Sequence, residues 1–565
     1  MKKTIYKLYA IGLICTAGAV IYSCTNDDDL SSELTESNRM FSPFGLGVNN
    51  NDSYSKITWK PALHTEGQTI DYTAEVSTDS LFTNQESTIL EKIVDSAGIK
   101  INDFEVPVRK KLFVRVKTNA YKERKESLWS ESKSFRITGT QIILPLYEPN
   151  ILSNGVTINW NQNPNAIKTR IQAIRINSGQ DEPENIGNPI INDISSQEQS
   201  TRSKHINGLN PNTLYSVEIL NENNVSIGYQ TFRTKPDTEY STILNEGDNL
   251  VTAIANAANG DIIGLNPGTY NSGDLLHTIN EKKITIQSTS GNPNNTKIYF
   301  KEFVLNNSGA GLTLKNLTLD GETNNAAYFI NLTSSNNNAL PADYGDVLIE
   351  NCNVQNVSTS AFRANRGPAN GYKMNKFEIK YSFFKNFAAS SYGFLHLDKL
   401  VFNQINLSNS TFTEVGDLFI RYRENITSPS PNATINVTNC TINSIGLSQA
   451  YPLLDNNNVA ISFNFTNNIL ANVPRIGGTL SNVNLVRIAT NTTTNVSFNN
   501  LYNLTNGNSS NLQQLVIPNT VTNSNNLTHN LDWTNLSTTF YLPQNSPLQT
   551  ASTTGGAIGD PRWWN

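Results

Sequence analysis

The chain of 565 residues carries little charge. Asp, Glu, Lys and Arg make up 16% of it, whereas about a quarter is usual. The formal net charge is −5 and the sequence shows no basic stripe overall, which argues against nucleic-acid binding. No paired-carboxylate motif marks a hydrolase. Asn, Ser and Thr are abundant instead, a composition that suits sugar binding and equally suits the turns of a large β protein.

Long apolar runs are also missing. The run from Leu8 to Val20 is shorter than the roughly 20 residues that a transmembrane helix needs. It follows Lys2, Lys3 and Lys7 and precedes Cys24, so residues 1–23 are predicted to be an export signal rather than a membrane span.

The four residues Ile21-Tyr22-Ser23-Cys24 resemble a bacterial lipobox, which implies that Cys24 is acylated and anchors the mature protein in a membrane. The acidic stretch 25–29 resembles the tag that directs lipoproteins of Bacteroidota to the outer face of the outer membrane. A solvated acidic linker is the alternative. Residues 24–40 are predicted to be a tether.

Seven copies of one short pattern start 28 to 35 residues apart in the second half of the chain. Each begins with apolar residues at positions one and three, usually has Asn at position five, and returns to an apolar residue near position eight. Period-two alternation predicts a strand with one buried face, and a fixed repeat of this length predicts units that stack. The copies are LTLKNLTLDGE, VLIENCNVQNV, FEIKYSFFKNF, INLSNSTFTEV, INVTNCTINSI, FNFTNNILANV and VSFNNLYNLTN, starting at Leu312, Val347, Phe377, Ile405, Ile435, Phe463 and Val496.

Positions five and six of the repeat predict two structural features. Stacking would place the position-five side chains above one another, where their amides form a structural ladder. Cys352 and Cys440 occupy position six, three repeats apart. At about 4.8 Å per coil they would lie roughly 14 Å apart, beyond the reach of a disulfide, so two free, buried thiols are expected. The position-five residues are Asn316, Asn351, Tyr381, Asn409, Asn439, Asn467 and Asn500.

The N-terminal region consists of short strand and turn patterns. Residues 41–138 include an alternating run at Leu112, Val114 and Val116, and residues 142–236 include one from Leu209 to Ile219 with a Pro-bearing turn and Tyr215. Such patterns predict β-sandwiches. Both segments resemble fibronectin type III modules, which implies a spacer role.

An apolar helix pattern follows Asp248, its expected N-cap, and the run GDIIGLNPGTY comes next at 260–270. With these features, residues 242–565 are similar to right-handed parallel β-helix proteins of the pectate lyase type. The helix is expected to cover the first coil, and residues 540–564 are expected to fold back as the other cap. The expected fold is all-β. The whole chain resembles β-helix lipoproteins of polysaccharide-utilisation loci in Bacteroidota.

Charged residues in three successive repeats form the candidate site. In the second strand of each coil, alternation turns polar residues outward, so that two columns are expected to line a positive groove able to grip uronic acid carboxylates. The first column contains Arg363, His396 and Arg421, and the second contains Asn365, Asp398 and Arg423, with Phe419 also outward.

Three functions remain open at this point. The first is binding of an acidic polysaccharide for a glycan uptake system, in partnership with an outer-membrane glycan transporter. The second is a polysaccharide lyase, which the β-helix resemblance implies, often with Ca²⁺. A base for such a lyase would come from Arg363, His396, Lys399, Arg421 or Arg423. However, no tight Asp/Glu cluster resembles the calcium site of pectate lyases. The third is a surface adhesin, and the charges could also simply decorate a solvated face.

Overall fold

The computed structural model describes residues 38–179, 182–387, 392–424, 426, 430, 433–543 and 545–564. The predicted signal peptide, Cys24 and most of the tether lie outside the described residues. The Cα positions divide the chain into two compact units. The first runs to Ile143 and adds Gln162–Thr201 and Leu214–Thr231, and the second contains Leu144–Asn161, Arg202–Thr213 and the chain from Phe232 onwards. The all-β expectation is confirmed.

The first segment is a β-sandwich of a three-stranded and a four-stranded antiparallel sheet. Leu112, Val114 and Val116 are buried between the sheets, as the alternation predicts. The order β1-β2-β5 against β4-β3-β6-β7 is a sandwich of the immunoglobulin-like class. The strands are β1 (Phe44–Asn50), β2 (Tyr54–Lys60), β3 (Tyr72–Ser77), β4 (Thr88–Val94), β5 (Gly98–Asn102), β6 (Leu112–Thr118) and β7 (Lys133–Phe135), with a 3₁₀ turn at Gln85–Ser87.

The second segment supplies a four-stranded sheet ordered β10-β9-β12-β13 and a two-stranded sheet β11-β8. Tyr215, Val217 and Ile219 of the predicted alternating run are buried. The elements are β8 (Gly155–Asn159), β9 (Lys168–Arg175), β10 (Glu184–Asp193), α1 (Ser196–Thr201), β11 (Ser203–Asn207), β12 (Leu214–Leu220) and β13 (Ser226–Arg233), with a 3₁₀ turn at Glu148–Asn150.

The second unit is dominated by a parallel β-helix of about nine coils. Each complete coil contributes one strand to each of three sheets, here named A, B and C in chain order. The sequence suggests that the charged residues lie in the second strand of each coil, but they lie in the third, which belongs to sheet C. Inward side chains of all three sheets form one continuous apolar core.

Sheet A contains β14 (Thr242–Leu244), β15 (Ile262–Leu265), β18 (Lys283–Ser288), β21 (Gly311–Lys315), β24 (Ala342–Tyr344), β25 (Val347–Glu350), β28 (Tyr372–Lys380), β31 (Leu400–Ser408), β34 (Thr434–Thr438), β37 (Ser462–Thr466), β40 (Thr493–Ser497) and β42 (Asn523–Ser524). Sheet B contains β16 (Gly268–Asn271), β19 (Thr296–Tyr299), β22 (Thr318–Asp320), β26 (Asn353–Val357), β29 (Phe383–Phe387), β32 (Thr411–Val415), β35 (Thr441–Asn443), β38 (Ile469–Val473) and β41 (Asn500–Leu504). Sheet C contains β17 (His277–Asn280), β20 (Phe303–Asn306), β23 (Tyr328–Thr333), β27 (Ser360–Arg363), β30 (Leu395–His396), β33 (Ile420–Tyr422), β36 (Leu454–Asn456) and β39 (Val486–Arg487).

Position five of the repeat is the first of the two residues at the corner between sheets A and B. Every residue there has a left-handed backbone, with φ between 48° and 59°, which Asn tolerates better than most residues. The side-chain ladder is confirmed for Asn351 with Asn316 at 2.8 Å and for Asn439 with Asn409 at 3.3 Å. The predicted register of the seventh repeat is wrong by two residues: Phe463 pairs with Thr494, so Phe498 and not Asn500 occupies position five.

The N-terminal end of the β-helix is covered by α2 (Leu250–Asn256), whose Leu250 and Ile254 join the core. The prediction that Asp248 is the N-cap of this helix is wrong. Asn249 is the N-cap, and its side chain accepts a hydrogen bond from the Thr252 amide, while the Asp248 carboxylate accepts from the Asn245 amide. Shorter elements are a helical turn, α3 (Ser335–Asn338), and 3₁₀ turns at Pro293–Asn295, Pro547–Thr550 and Pro561–Trp563.

The C-terminal residues do not form the second cap that the sequence suggested. Residues 531–543 and 545–564, here named the strap, pack against the outer face of sheet B, where Trp533, Phe540 and Trp563 meet Ile469 and Ala471. The strap therefore runs along the side of the β-helix.

Both thiols are free and buried, as predicted. Burial raises the pKa of Cys352 to about 12 and raises that of Cys440 as well. These thiols behave as core side chains.

Candidate functional site

The predicted first column exists on the outer face of sheet C. Strand pairing aligns Arg363 with His396 and His396 with Arg421, as the repeat register predicts. The column is longer than the sequence suggested, because Asn331 precedes Arg363 and Asp455 and Arg487 follow Arg421. Charges of both signs therefore occupy one face.

Asp398 joins this column from the turn after β30. Its carboxylate accepts hydrogen bonds from Arg421 Nε at 2.7 Å and from the Arg423 amide at 2.6 Å, and it contacts His396 Nε2 at 3.0 Å. The side chain is fully buried. Burial would raise the pKa of Asp398, but its bonds to His396, Arg423 and Arg421 outweigh burial and hold the pKa well below its ordinary value.

Asp455 neutralises the next two arginines. It accepts hydrogen bonds from Arg423 Nε and, at 2.6 Å, from Arg487 Nε, and only 1% of it is exposed. The sequence reasoning missed Asp455 because it stopped at the third coil. Extending the same alternation to Leu454 and Asn456 would have placed Asp455 in the column.

The predicted exposure of three site residues is wrong. His396 is 2% exposed, and Asp398 and Phe419 are 0% exposed. His396 and Asp398 bond to each other beneath Arg421 and Tyr392. Phe419 lies in the bend before β33, which breaks the alternation, and its ring stacks on Phe394 in the core at a centroid distance of 5.4 Å. None of the three can contact a polysaccharide in this structure.

Arg363 has a different environment from the other arginines of the column. Its guanidinium carbon lies 4.4 Å from the ring centroid of Tyr328 and 5.5 Å from that of Tyr392. Nε donates to Asn365 Oδ1 at 3.3 Å. Among the described residues, no carboxylate is within ion-pair distance of Arg363. Arg363 is therefore held by two aromatic rings and keeps its charge available.

Glu302 and Asn331 border Arg363 on the preceding coils. Asn331 Nδ2 donates to Glu302 Oε1, and burial raises the pKa of Glu302 despite the lowering effects of Asn331, Arg363 and Arg366. The Tyr328 pKa is raised by burial. We name Tyr328, Arg363, Asn365 and Tyr392 the Arg363 cluster.

Four of the five candidate bases of the lyase hypothesis contact a carboxylate, and among the described residues the fifth, Arg363, does not. Arg421 and Arg423 form ion pairs with the buried carboxylates of Asp398 and Asp455. Lys399 Nζ lies 3.6 Å from Glu424. Burial lowers the pKa of His396, and its side chain is inaccessible.

Within the described ranges, no group of three or more His, Cys, Asp or Glu side chains is arranged to hold a metal ion. Asp320, the last residue of β22, instead accepts hydrogen bonds from Gln355 and Asn356 and pairs with Lys297 at 3.1 Å.

Part of the β-helix matches a known family model. Residues 268–414 match a domain of unknown function, DUF4957, which covers about a quarter of the chain. The match includes Arg363, His396 and Asp398 and ends before Arg421. No curated protein matches the chain.

Two solved structures are similar to parts of the chain. The chicken CNTN1 FN1-FN3 domains share 16% identity over 35% of this chain and 68% of that chain, with a TM-score of 0.15. A segment of two fibronectin type III domains from chicken tenascin shares 14% identity over 34% of this chain and 99% of that chain, with a TM-score of 0.17. The strand orders given above identify the N-terminal sandwiches as fibronectin type III-like. In the described part of the chain, no helix is both long and apolar enough to span a bilayer.

Proposed function

We propose that this protein binds an acidic polysaccharide on the outer face of sheet C, at the Arg363 cluster. The observation that carries the proposal is the guanidinium of Arg363, which lies against two tyrosine rings and lacks a carboxylate partner among the described residues. A planar guanidinium held in this way binds a uronic acid carboxylate with two parallel hydrogen bonds.

The neighbouring groups suit a sugar ring. Asn365 and the tyrosine hydroxyls supply hydrogen-bonding groups for sugar hydroxyls, and the faces of Tyr328 and Tyr392, tilted by 58° to each other, offer apolar surface for the ring carbons. Sites for small ligands commonly combine apolar walls with a few placed polar groups.

Binding is favoured over β-elimination. Arg421 and Arg423 pair with buried carboxylates, and His396 is enclosed. A lyase requires a base that reaches the proton next to the carboxylate, and these three residues do not provide one.

The cellular setting belongs to the same proposal. We propose a lipoprotein of a Bacteroidota polysaccharide-utilisation locus, anchored at Cys24 in the outer membrane, with the sandwiches as spacers and an outer-membrane glycan transporter as partner. The lipobox-like sequence and the acidic stretch after it support this placement. Labelling of the native protein with a radioactive fatty acid, lost in Cys24→Ala, tests the anchor. Unlabelled wild-type protein would contradict it.

Affinity measurements test the binding site. The full chain, purified in mild detergent, is titrated with polygalacturonate, alginate and chondroitin sulfate while the absorbance of unsaturated sugar ends is followed. We expect binding without new absorbance, and Arg363→Ala should weaken it by at least about tenfold.

Arg487→Ala is the matched control. Arg487 lies in the same column and over a tyrosine ring, 4.9 Å from the centroid of Tyr451, but it is paired with Asp455. It should bind like the wild type. New absorbance would support the lyase instead, and unchanged affinity of Arg363→Ala would remove the Arg363 cluster as the site.

A further inference from the structure

The outer face of sheet B is covered over only part of its length. Outward side chains of its later coils are sealed by the strap: Asp560 accepts a hydrogen bond from Thr411 Oγ1 at 2.6 Å, and the Asp560 amide donates to Thr441 Oγ1 at 3.0 Å. Trp563 Nε1 also donates to Thr411 Oγ1, at 2.7 Å. The strap reaches the side of Phe383.

A cleft lies where the covered part ends. Its volume is about 360 Å³, and its floor consists of outward residues from three successive strands of sheet B, paired as Thr318 with Asn353 and Asn353 with Phe383. The strap forms one wall. The polar and aromatic residues lining the cleft are Asn294, Thr318, Asn353, Gln355, Phe383, Lys385 and Arg562.

The carboxamides of the cleft are oriented by their own hydrogen bonds. Asn353 Nδ2 donates to Asn294 Oδ1 at 3.1 Å, and Gln355 Nε2 donates to Asp320 Oδ2 at 2.6 Å. Among the described residues, the side-chain carbonyl oxygens of Asn353 and Gln355 receive no hydrogen bond. Two residues that line the cleft therefore have side-chain carbonyl oxygens left to accept hydrogen bonds, and sugar hydroxyls are suitable donors to them.

Among the described residues, Phe383 is the only aromatic residue that lines the cleft, and the cations Arg562 and Lys385 line it as well. Arg562 lies with its guanidinium carbon 5.6 Å from the Phe383 ring centroid and donates to the Tyr381 carbonyl at 2.9 Å. Its nearest carboxylate contact, Nε to Asp560 Oδ2, is 3.8 Å long. Lys385 is exposed, and within the described part of the chain it has no ion-pair partner.

We infer that this cleft is a second carbohydrate site, which binds an anionic oligosaccharide separately from the Arg363 cluster. The carboxylate or sulfate of the sugar pairs with Lys385 and Arg562, its hydroxyls donate to Asn353 and Gln355, and one apolar face of a sugar ring lies on Phe383. The site does not depend on the Arg363 cluster, because its residues belong to sheet B and the strap.

The test uses the full chain in mild detergent and two probes of equal length, an oligogalacturonate and a heparin-derived oligosaccharide, which separate carboxylate from sulfate recognition. Arg363→Ala serves as the background, so that binding at the Arg363 cluster is removed. In this background, Lys385→Glu should weaken the remaining binding by at least about tenfold, because it replaces an attractive charge with a repulsive one. Lys385→Gln should weaken it less.

Lys373→Glu is the control, since Lys373 is an exposed lysine of sheet A whose nearest carboxylate, Asp343, is 3.9 Å away. It should leave affinity unchanged, and melting temperatures should confirm that all variants are folded. Binding of either probe that is lost in Lys385→Glu supports the second site.

The other outcomes separate the two sites. If Arg363→Ala alone removes all binding, or if Lys385→Glu changes nothing, the second site is overturned and the Arg363 cluster stands. If Arg363→Ala has no effect in the wild-type protein while Lys385→Glu removes binding, the second site stands and the Arg363 cluster is overturned. If the wild-type protein binds neither probe, both proposals fail.

Discussion

The outer faces of sheets C and B show two different uses of polar side chains. On sheet C the charged residues Arg421, Arg423, Asp455 and Arg487 neutralise one another with Asp398, whereas Arg363 keeps its charge for a ligand. On sheet B the residues around the cleft are mostly amides with few charges, and two carbonyl oxygens and Lys385 are left without partners among the described residues. The sequence suggests a functional site on the outer face of sheet C, but most of the charged residues on that face stabilise the fold.

The physical reason is the close spacing of coils. Side chains in one column are about 4.8 Å apart, so like charges in successive coils repel strongly unless carboxylates separate them. Asp398 and Asp455 fill this role. When charged residues form a column in a solenoid, ion pairs within the column are therefore a simpler explanation than a bound ligand.

Asp398→Asn should have the largest effect on stability. It removes the buried carboxylate that holds Arg421, His396 and the Arg423 amide, and breaking a buried ion pair costs about 3–5 kcal/mol. Chemical denaturation of the full chain measures this loss. Asp343→Asn, at an exposed aspartate, should cost less than about 0.5 kcal/mol, and equal stabilities of the two variants would show that the sheet C charges are not structural.

Trp563→Ala should release the strap from sheet B. The side chain is 8% exposed and donates to Thr411, and truncation of a buried Trp typically costs about 3–5 kcal/mol. Limited proteolysis should cut residues 531–564 faster in this variant, whereas Leu536→Ala, at an exposed strap residue, should behave like the wild type. Equal cleavage of both variants would contradict the anchoring role of Trp563.

A fall in pH should lower the stability of the fold, because Asp398 on sheet C becomes protonated. Its folded pKa lies below its ordinary value of 3.8, so the folded state binds the proton less readily than the unfolded state. The stability that Asp398 provides is complete above this ordinary value and is lost as the pH falls below it towards the folded pKa. Denaturation between pH 6 and pH 3 should show a smaller acid-induced loss in Asp398→Asn than in the wild type, and identical profiles would contradict this.

Phe498→Asn should be mildly stabilising. Phe498 occupies the left-handed corner position with φ 57°, where a bulky residue costs about 1–2 kcal/mol and Asn costs less. We expect a gain of about 1 kcal/mol. Phe498→Ala removes the ring without relieving the backbone, so an Asn variant no more stable than the Ala variant would refute the explanation.

Much of the fold could be predicted from the sequence because it follows from local periodicity. The alternation of Leu112, Val114 and Val116, the helix at 250–256 and the stacked repeats all depend on short-range patterns. The predicted register is wrong in the seventh copy. Val496 and Phe498 match the apolar positions one and three of the repeat, but position one is occupied by Thr494.

The site was less predictable because it depends on turns and on distant residues. The alternation of inward and outward residues correctly predicts that Arg363, His396 and Arg421 share one column. It does not predict that Asp398 bends back under Arg421, or that the chain turns before Ile420 and buries Phe419. The cleft on sheet B requires Arg562 to lie next to Phe383, 179 positions earlier in the chain. No local pattern reports such a contact.

The most direct test compares Arg363→Ala with Arg421→Ala in one column of one sheet. Affinity for polygalacturonate and stability to denaturant are measured for both variants of the full chain. Arg363→Ala should lose at least about tenfold in affinity with little change in stability, whereas Arg421→Ala should lose about 3 kcal/mol of stability and keep its affinity where it remains folded. The reverse pattern, or two variants that behave alike, would contradict the assignment of Arg363 to binding and of Arg421 to the fold.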